Sequence, residues 1–176
     1  MMFTTSYKSP GMGELITALV KSVGAKKIIE LGTQQGHSAV LLAKGITGVV
    51  KTYDTFETNY SNPPFKQTHA DMLTALNNVK GYNVQVFMKD AFDVKPVKCD
   101  VLHIDICNHH HNVGRLLDSW ASKVTKMIIL EGGVYNKWQK KYGFLPYLCC
   151  LDVMRDWTYT VIRGEGDYAV TIMTRV

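Results

Sequence analysis

The sequence predicts an α/β fold: a mostly parallel sheet, doubly wound with helices on both faces and finished by an antiparallel hairpin. Three observations predict it. Five apolar runs, at 26–31, 48–56, 83–89, 99–106 and 126–131, alternate with helically spaced stretches or loops. The first run passes directly into a glycine-bearing loop and then a helical pattern, KKIIELGTQQGHS over 26–38. The chain closes on two strand-like runs, 157–163 and 168–175, joined by GEGD. Strand–helix alternation needs crossover connections, which make neighbouring strands parallel, while a tight hairpin makes its own pair antiparallel.

Each element has a local reason. Apolar Leu15, Ile16, Leu19, Val20 and Val23 recur at helical spacing over 13–23, with Ser9-Pro10-Gly11 as a start signal and Gly24 as a stop. A helix follows the glycine loop over about 36–45 and ends near Gly45. The segment 57–66, ETNYSNPPFK, is polar and turn-forming, and Met72, Ala75, Leu76 and Val79 place a helix in 67–79. Residues 91–98 read as a short connection. Val113, Leu116, Leu117, Trp120 and Val124 mark 111–124 as the clearest amphipathic helix. Gly132-Gly133 ends the fifth strand, and 145–156 reads as helical. Linkers, internal repeats and low-complexity tracts are missing, so residues 1–176 are expected to form a single domain.

Composition narrows the class. Hydrophobic residues make up 46% and charged residues 20%, the balance of a globular protein. No apolar run approaches the roughly 20 residues of a membrane span, and the N-terminus does not read as a secretory signal. Cys99, Cys107, Cys149 and Cys150 lack CxxC spacing, so free thiols in a reducing cytoplasm are expected. The net charge of +5 permits a nucleic-acid partner without requiring one, because the lysines are scattered. Lys137, Lys140 and Lys141 read as a solvated surface.

In such a sheet, ligands sit beyond the carboxyl ends of the strands. There the five strands deliver Glu30, Asp54, Asp90, Asp105 and Glu131. That set suits a ligand with a ribose, an adenine and a cationic tail. The loop GTQQG lacks the GxGxxG spacing of dinucleotide sites, and Glu30 would repel a pyrophosphate. A phosphate-binding P-loop is excluded because no GK[ST] follows.

With E-L-G-T-Q-Q-G-H-S (30–38), Y-D (53–54), D-A (90–91) and H-I-D (103–105), the chain from about residue 13 to 176 resembles the class I S-adenosylmethionine-dependent methyltransferases. ELGTQQGHS looks most like their small-molecule O-methyltransferase branch. The resemblance implies a Rossmann-like, seven-stranded sheet and S-adenosylmethionine as cofactor. It implies that Glu30 and Gly32 line the methionine moiety, within a loop that includes Thr33, Gly36, His37 and Ser38. It places Asp54 on the ribose, Asp90 and Ala91 on the adenine, and Asp105 beside the sulfonium and the acceptor. The implied reaction is methyl transfer to a small-molecule acceptor at oxygen, with Asp105 or a histidine of His109–His111 as base or orienting group and Glu131 assisting.

Two departures from relatives bear on the chemistry. Metal-dependent relatives carry Asp-Asn after strand five, where this chain has Glu131-Gly132, so no metal is expected. Non-metal relatives read I-D-x-D-H after strand four, whereas here Asn108 stands at the histidine's place and His109–His111 follow. Three adjacent histidines cannot all face one ion, and a solvated helix entry is the plainer reading. Asn62-Pro63-Pro64-Phe65 resembles the NPPF signature of base-amino methyltransferases but follows strand two instead of strand four, so it reads as a stiffened loop. His103 and Trp120 read as core, while Tyr135, Trp138 and Tyr142 are candidates for the acceptor pocket. Two alternatives stay open: an RNA or other nucleic-acid acceptor, and a catalytically inactive S-adenosylmethionine-binding module. The resemblance leaves the acceptor and the oligomeric state undetermined.

Overall fold

The computed structural model describes residues 11–56, 72–106, 109–133, 143–164 and 168–176. The proline loop at 62–65, Cys107 and Asn108, and the candidates Tyr135, Trp138 and Tyr142 lie outside the described residues, as do Lys137, Lys140 and Lys141.

The elements run α1 (Met12–Ser22), β1 (Lys27–Leu31), α2 (His37–Lys44), β2 (Val49–Asp54), α3 (Met72–Asn78), β3 (Val84–Met88), β4 (Cys99–Ile104), α4 (His110–Trp120), β5 (Val124–Glu131), α5 (Leu145–Leu148), β6 (Trp157–Arg163) and β7 (Ala169–Arg175). The seven strands lie in the order β3-β2-β1-β4-β5-β7-β6. The pairs from β3 to β5 are parallel, and β7 runs antiparallel between β5 and β6. The order reverses between β1 and β4, and that switch point is where such sheets take a ligand.

Alternation along the strands fills two cores. Ile29, Leu31, Leu102, Ile104, Ile128, Leu130 and Met173 face α4, packing on Val113, Leu116, Leu117 and Trp120. Ile28, Val50, Val101, Ile129, Val170 and Ile172 face the other way, onto Met12, Ile16 and Val20 of α1 and Leu42 of α2. Strands buried on both faces read as continuous apolar runs, so the sequence displayed them plainly.

Two segments differ from expectation. The helix expected over 111–124 ends at Trp120, and Ala121–Lys123 form a 3₁₀ turn that leads into β5 two residues early. Val124 is buried as a strand residue instead of a helical one. The helix expected over 145–156 is only α5; a turn follows, then a 3₁₀ segment over Asp152–Arg155. Leu148, Leu151 and Met154 are spaced three apart, a period that suits short 3₁₀ turns as well as an α-helix. Among the described residues, no helix is long and apolar enough to cross a membrane.

Candidate active site

The loop from β1 to α2 is set by a backbone crossing. Gly32 has φ +99°, and a Cβ on it would stand 2.0 Å from the carbonyl oxygen of Asp105. The close approach follows from the pairing of β1. Gly32 N–H donates to Tyr53 O at 2.8 Å on one side, and Asp105 N–H donates to Leu31 O at 2.8 Å on the other. The loop then turns tightly, with Gly36 N–H donating to Thr33 O at 2.7 Å. Gly36, at φ +78°, caps α2 and packs on α3, where a Cβ would meet the Val79 side chain at 2.9 Å. Gln34 also takes a left-handed backbone, φ +45°, without being glycine.

Asp54 holds that conformation. Its Oδ2 accepts from Thr33 N–H and Gln34 N–H, both at 2.8 Å, and its Oδ1 accepts from Phe56 N–H at 2.9 Å. The residue expected on the ribose is thus also the clamp of the loop. With roughly two acceptor positions per carboxylate oxygen, Oδ1 keeps capacity for one more donor.

Asp90 begins the 3₁₀ turn Ala91–Asp93, its Oδ1 accepting from Phe92 N–H at 2.8 Å; Asp90 is exposed and Ala91 buried. Beside them the Arg115 guanidinium lies 4.5 Å from the centre of the Phe92 ring. His37 is the first residue of α2, its Nε2 3.2 Å from Gln35 Oε1, and Ser38 is buried behind it.

Register puts the remaining carboxylates on one face. Glu30 pairs with Thr52 on β2 and His103 on β4, and His103 pairs with Ile129 on β5. Two residues further along each strand come Gly32, Asp54, Asp105 and Glu131. Asp105 keeps partial solvent access but lies deep in protein mass. Burial raises its carboxyl pKa well above the usual value, and the charges of Glu131, Glu30 and Asp54 raise it further.

Glu30 lies near the end of β1, two residues before Gly32. It has no exposed surface, and both its oxygens are engaged inside the sheet. Thr52 Oγ1 donates to Oε2 at 2.5 Å, and His103 Nδ1 stands 3.0 Å from Oε1. Thr33, also buried, bonds through its hydroxyl to that of Thr52. The sequence reading passed over Thr52, while His103, expected in the core, is fully buried and bonded there. The available signal was positional: Thr52, Glu30 and His103 each stand two residues before Asp54, Gly32 and Asp105, on three adjacent strands.

His109 caps α4, its Nδ1 accepting from His111 N–H at a long 3.4 Å. Its ring stacks on His110 at 4.6 Å, and His110 stacks on Tyr147 of the α5 segment at 4.0 Å. Partial burial and the neighbouring His110 and His111 lower the His109 pKa. Among the described residues, no group of three or more His, Cys, Asp or Glu side chains is arranged to hold a metal ion.

At the opposite end of the strands, Lys98, Ser122, Lys123, Val124, Thr125 and Arg175 line a depression of about 570 Å³. Asp100 stands beside it, its Oδ1 accepting from Thr125 Oγ1 at 3.1 Å and lying 3.8 Å from Lys126 Nζ.

No protein-family model and no curated protein sequence matches the chain. Solved structures do match. An O-methyltransferase from Bacillus cereus in complex with S-adenosylhomocysteine superimposes with a TM-score of 0.67 at 20% identity, over 95% of this chain and 82% of that one. An O-methyltransferase from Streptomyces achromogenes involved in tomaymycin synthesis, in complex with S-adenosylmethionine, gives 0.72 at 16% identity, over 96% and 81%. A protein assigned as an rRNA methylase, from Clostridium thermocellum, gives 0.68 at 8% identity, over 100% and 98%. Strand order, the β7 insertion and these superpositions agree: the chain has the Rossmann-like fold of the class I S-adenosylmethionine-dependent methyltransferases.

Proposed function

We propose that this protein is an S-adenosylmethionine-dependent methyltransferase acting at the oxygen of a small-molecule acceptor. The observation that carries the reading is the row of carboxylates at the switch point. Burial holds Asp105 above its usual pKa, and the charges of Glu131, Glu30 and Asp54 add to the shift. An anionic pyrophosphate would deepen that repulsion, whereas a cation relieves it. The donor set therefore fits a sulfonium-bearing adenosyl ligand.

The roles follow from the same placement. Asp54 would take the ribose hydroxyls. Asp90 would accept from the adenine amino group beside Ala91. Gly32, Thr33, Gly36, His37 and Ser38 would form the wall behind the methionine portion. When bound, the sulfonium supplies an electrophilic methyl group and a good leaving group. The protein's work is then alignment and removal of the acceptor's proton. His109, its pKa lowered by partial burial and by His110 and His111, would act as the base, with Asp105 and Glu131 orienting the acceptor.

Thermal-shift and calorimetric titration with S-adenosylhomocysteine, S-adenosylmethionine and NAD test this. The first two should raise the melting temperature and NAD should not; stabilisation by NAD alone refutes the reading. Turnover of S-adenosylmethionine in a screen of phenolic and other hydroxyl acceptors separates an enzyme from an inactive binding module.

A nucleic-acid acceptor is the second reading, favoured by the net charge of +5. It calls for RNA binding that weakens steeply with salt.

A further inference from the structure

A carboxylate and an imidazole sit fully buried in the layer that packs on α1 and α2, among apolar residues and the buried hydroxyls of Thr52 and Thr33. Ile28, Val101 and Ile129 share that face with Glu30 and His103. Burying such a pair adds little net stability compared with apolar residues of similar volume. The fold therefore has no need of it, and its use should be sought in what it is connected to.

The connection has a direction. Glu30 accepts from Thr52 through Oε2, and with Oε1 accepting as well, His103 Nδ1, 3.0 Å away, is the donor. Thr52 spends its single hydroxyl proton on Glu30 Oε2 at 2.5 Å. The Thr33 hydroxyl, bonded to that of Thr52, must then be the donor in that pair. A chain of donors thus runs from the loop down to Glu30 and is met there by His103. Thr33 is the residue whose amide, with that of Gln34, is held on Asp54 at 2.8 Å. Gln34 keeps a left-handed backbone that glutamine disfavours, so something must hold it.

We infer that Glu30 and His103 form a positioning pair which, through Thr52 and Thr33, holds the β1–α2 loop and Asp54 ready for the adenosyl ligand. Glu30 is then a support beneath the loop. The inference rests on the proposed cofactor for its ligand-binding consequence, but its structural half concerns the ligand-free protein.

The test uses the full chain with three replacements. The double substitution Glu30→Leu/His103→Leu removes both charges and keeps the layer apolar. Thr52→Val cuts the chain in the middle with a side chain of the same shape. His103→Asn keeps a donor near the Nδ1 position. Amide hydrogen exchange at Thr33 and Gln34 is followed by NMR in the ligand-free protein, and S-adenosylhomocysteine affinity by calorimetry.

The double variant and Thr52→Val should exchange these two amides at least about tenfold faster, with core amides of β4 and β5 unchanged. They should also bind S-adenosylhomocysteine about tenfold more weakly, the equivalent of one lost hydrogen bond. His103→Asn should stay within about threefold of wild type in both readouts. Wild-type exchange and affinity in Thr52→Val overturn the inference, even if the double variant fails to fold. If the wild type binds no S-adenosylhomocysteine, the proposed function falls, and the exchange measurement alone decides the positioning role.

Discussion

Gly32→Ala is the sharpest probe of the frame beneath the site. The substitution adds one carbon at φ +99°, 2.0 Å from the Asp105 carbonyl oxygen and 2.6 Å from its carbon. Even a 3.0 Å contact is rarely tolerated, so the ends of β1 and β4 must part by at least about 1 Å, towards an ordinary separation of roughly 3.5 Å. Both atoms are backbone, and no rotamer relieves the clash. Left-handed strain costs about 1–2 kcal/mol. Parting the strands loses a flanking bond, Asp105 N–H to Leu31 O or Gly32 N–H to Tyr53 O, at about 1–3 kcal/mol. The sum, about 2–5 kcal/mol, lowers Tm by roughly 5–20 °C in a chain of this size.

Gly24→Ala is the internal control. Gly24 has φ +56° and open space for 4 Å around the position a Cβ would take, so only the strain of about 1 kcal/mol applies. Urea unfolding of both variants measures the difference. If Gly32→Ala costs no more than Gly24→Ala, the β1–β4 crossing is not what requires glycine at position 32.

Other outcomes follow from the same geometry. Asp105 has a raised pKa when folded, so the folded protein binds more protons than the unfolded chain, and stability falls as pH rises from the unfolded carboxylate value through the folded one. Asp105→Asn should flatten that decline and raise Tm at pH 7 by a few degrees, about 2–4 °C per kcal/mol; a steeper decline in thermal melts across pH would contradict the placement of the carboxylates. The same variant should weaken binding of cationic S-adenosylmethionine more than of neutral S-adenosylhomocysteine, by calorimetry of both. Asp54→Ala leaves the amides of Thr33, Gln34 and Phe56 without their acceptor, and affinity for S-adenosylhomocysteine should fall by about tenfold or more. Trp120→Ala empties the core beneath α4, where Trp120 is 1% exposed, and should cost about 3–5 kcal/mol in urea unfolding.

How far the site could be read from the chain depended on sequence separation. Asp54, Asp90, Asp105 and Glu131 were legible because each ends an apolar run, and parallel strands present their carboxyl ends together. Gly32 and Gly36 were legible because a strand meeting a helix across five residues demands special backbone angles. Glu30 showed its position but not its direction, since that depends on Thr52 and His103, which lie 22 and 73 residues away. The ends of α4 and α5 were misread for a different reason: 3₁₀ turns carry nearly the same apolar spacing as an α-helix, and the start of β5 decides where the helix must stop.

By itself the sequence determined the architecture, because period-2 and period-3.6 burial and glycine punctuation are local properties. It also determined that one edge of the sheet is acidic, because each acid adjoins a strand end. Only the tertiary structure decided what surrounds those acids. It turned Glu30 inward between two strands distant in sequence, put three backbone amides on Asp54, and gathered Asp105 among three like charges. Hydrogen-bond partners and fields are sums over neighbours in space, and a chain read in order does not contain them.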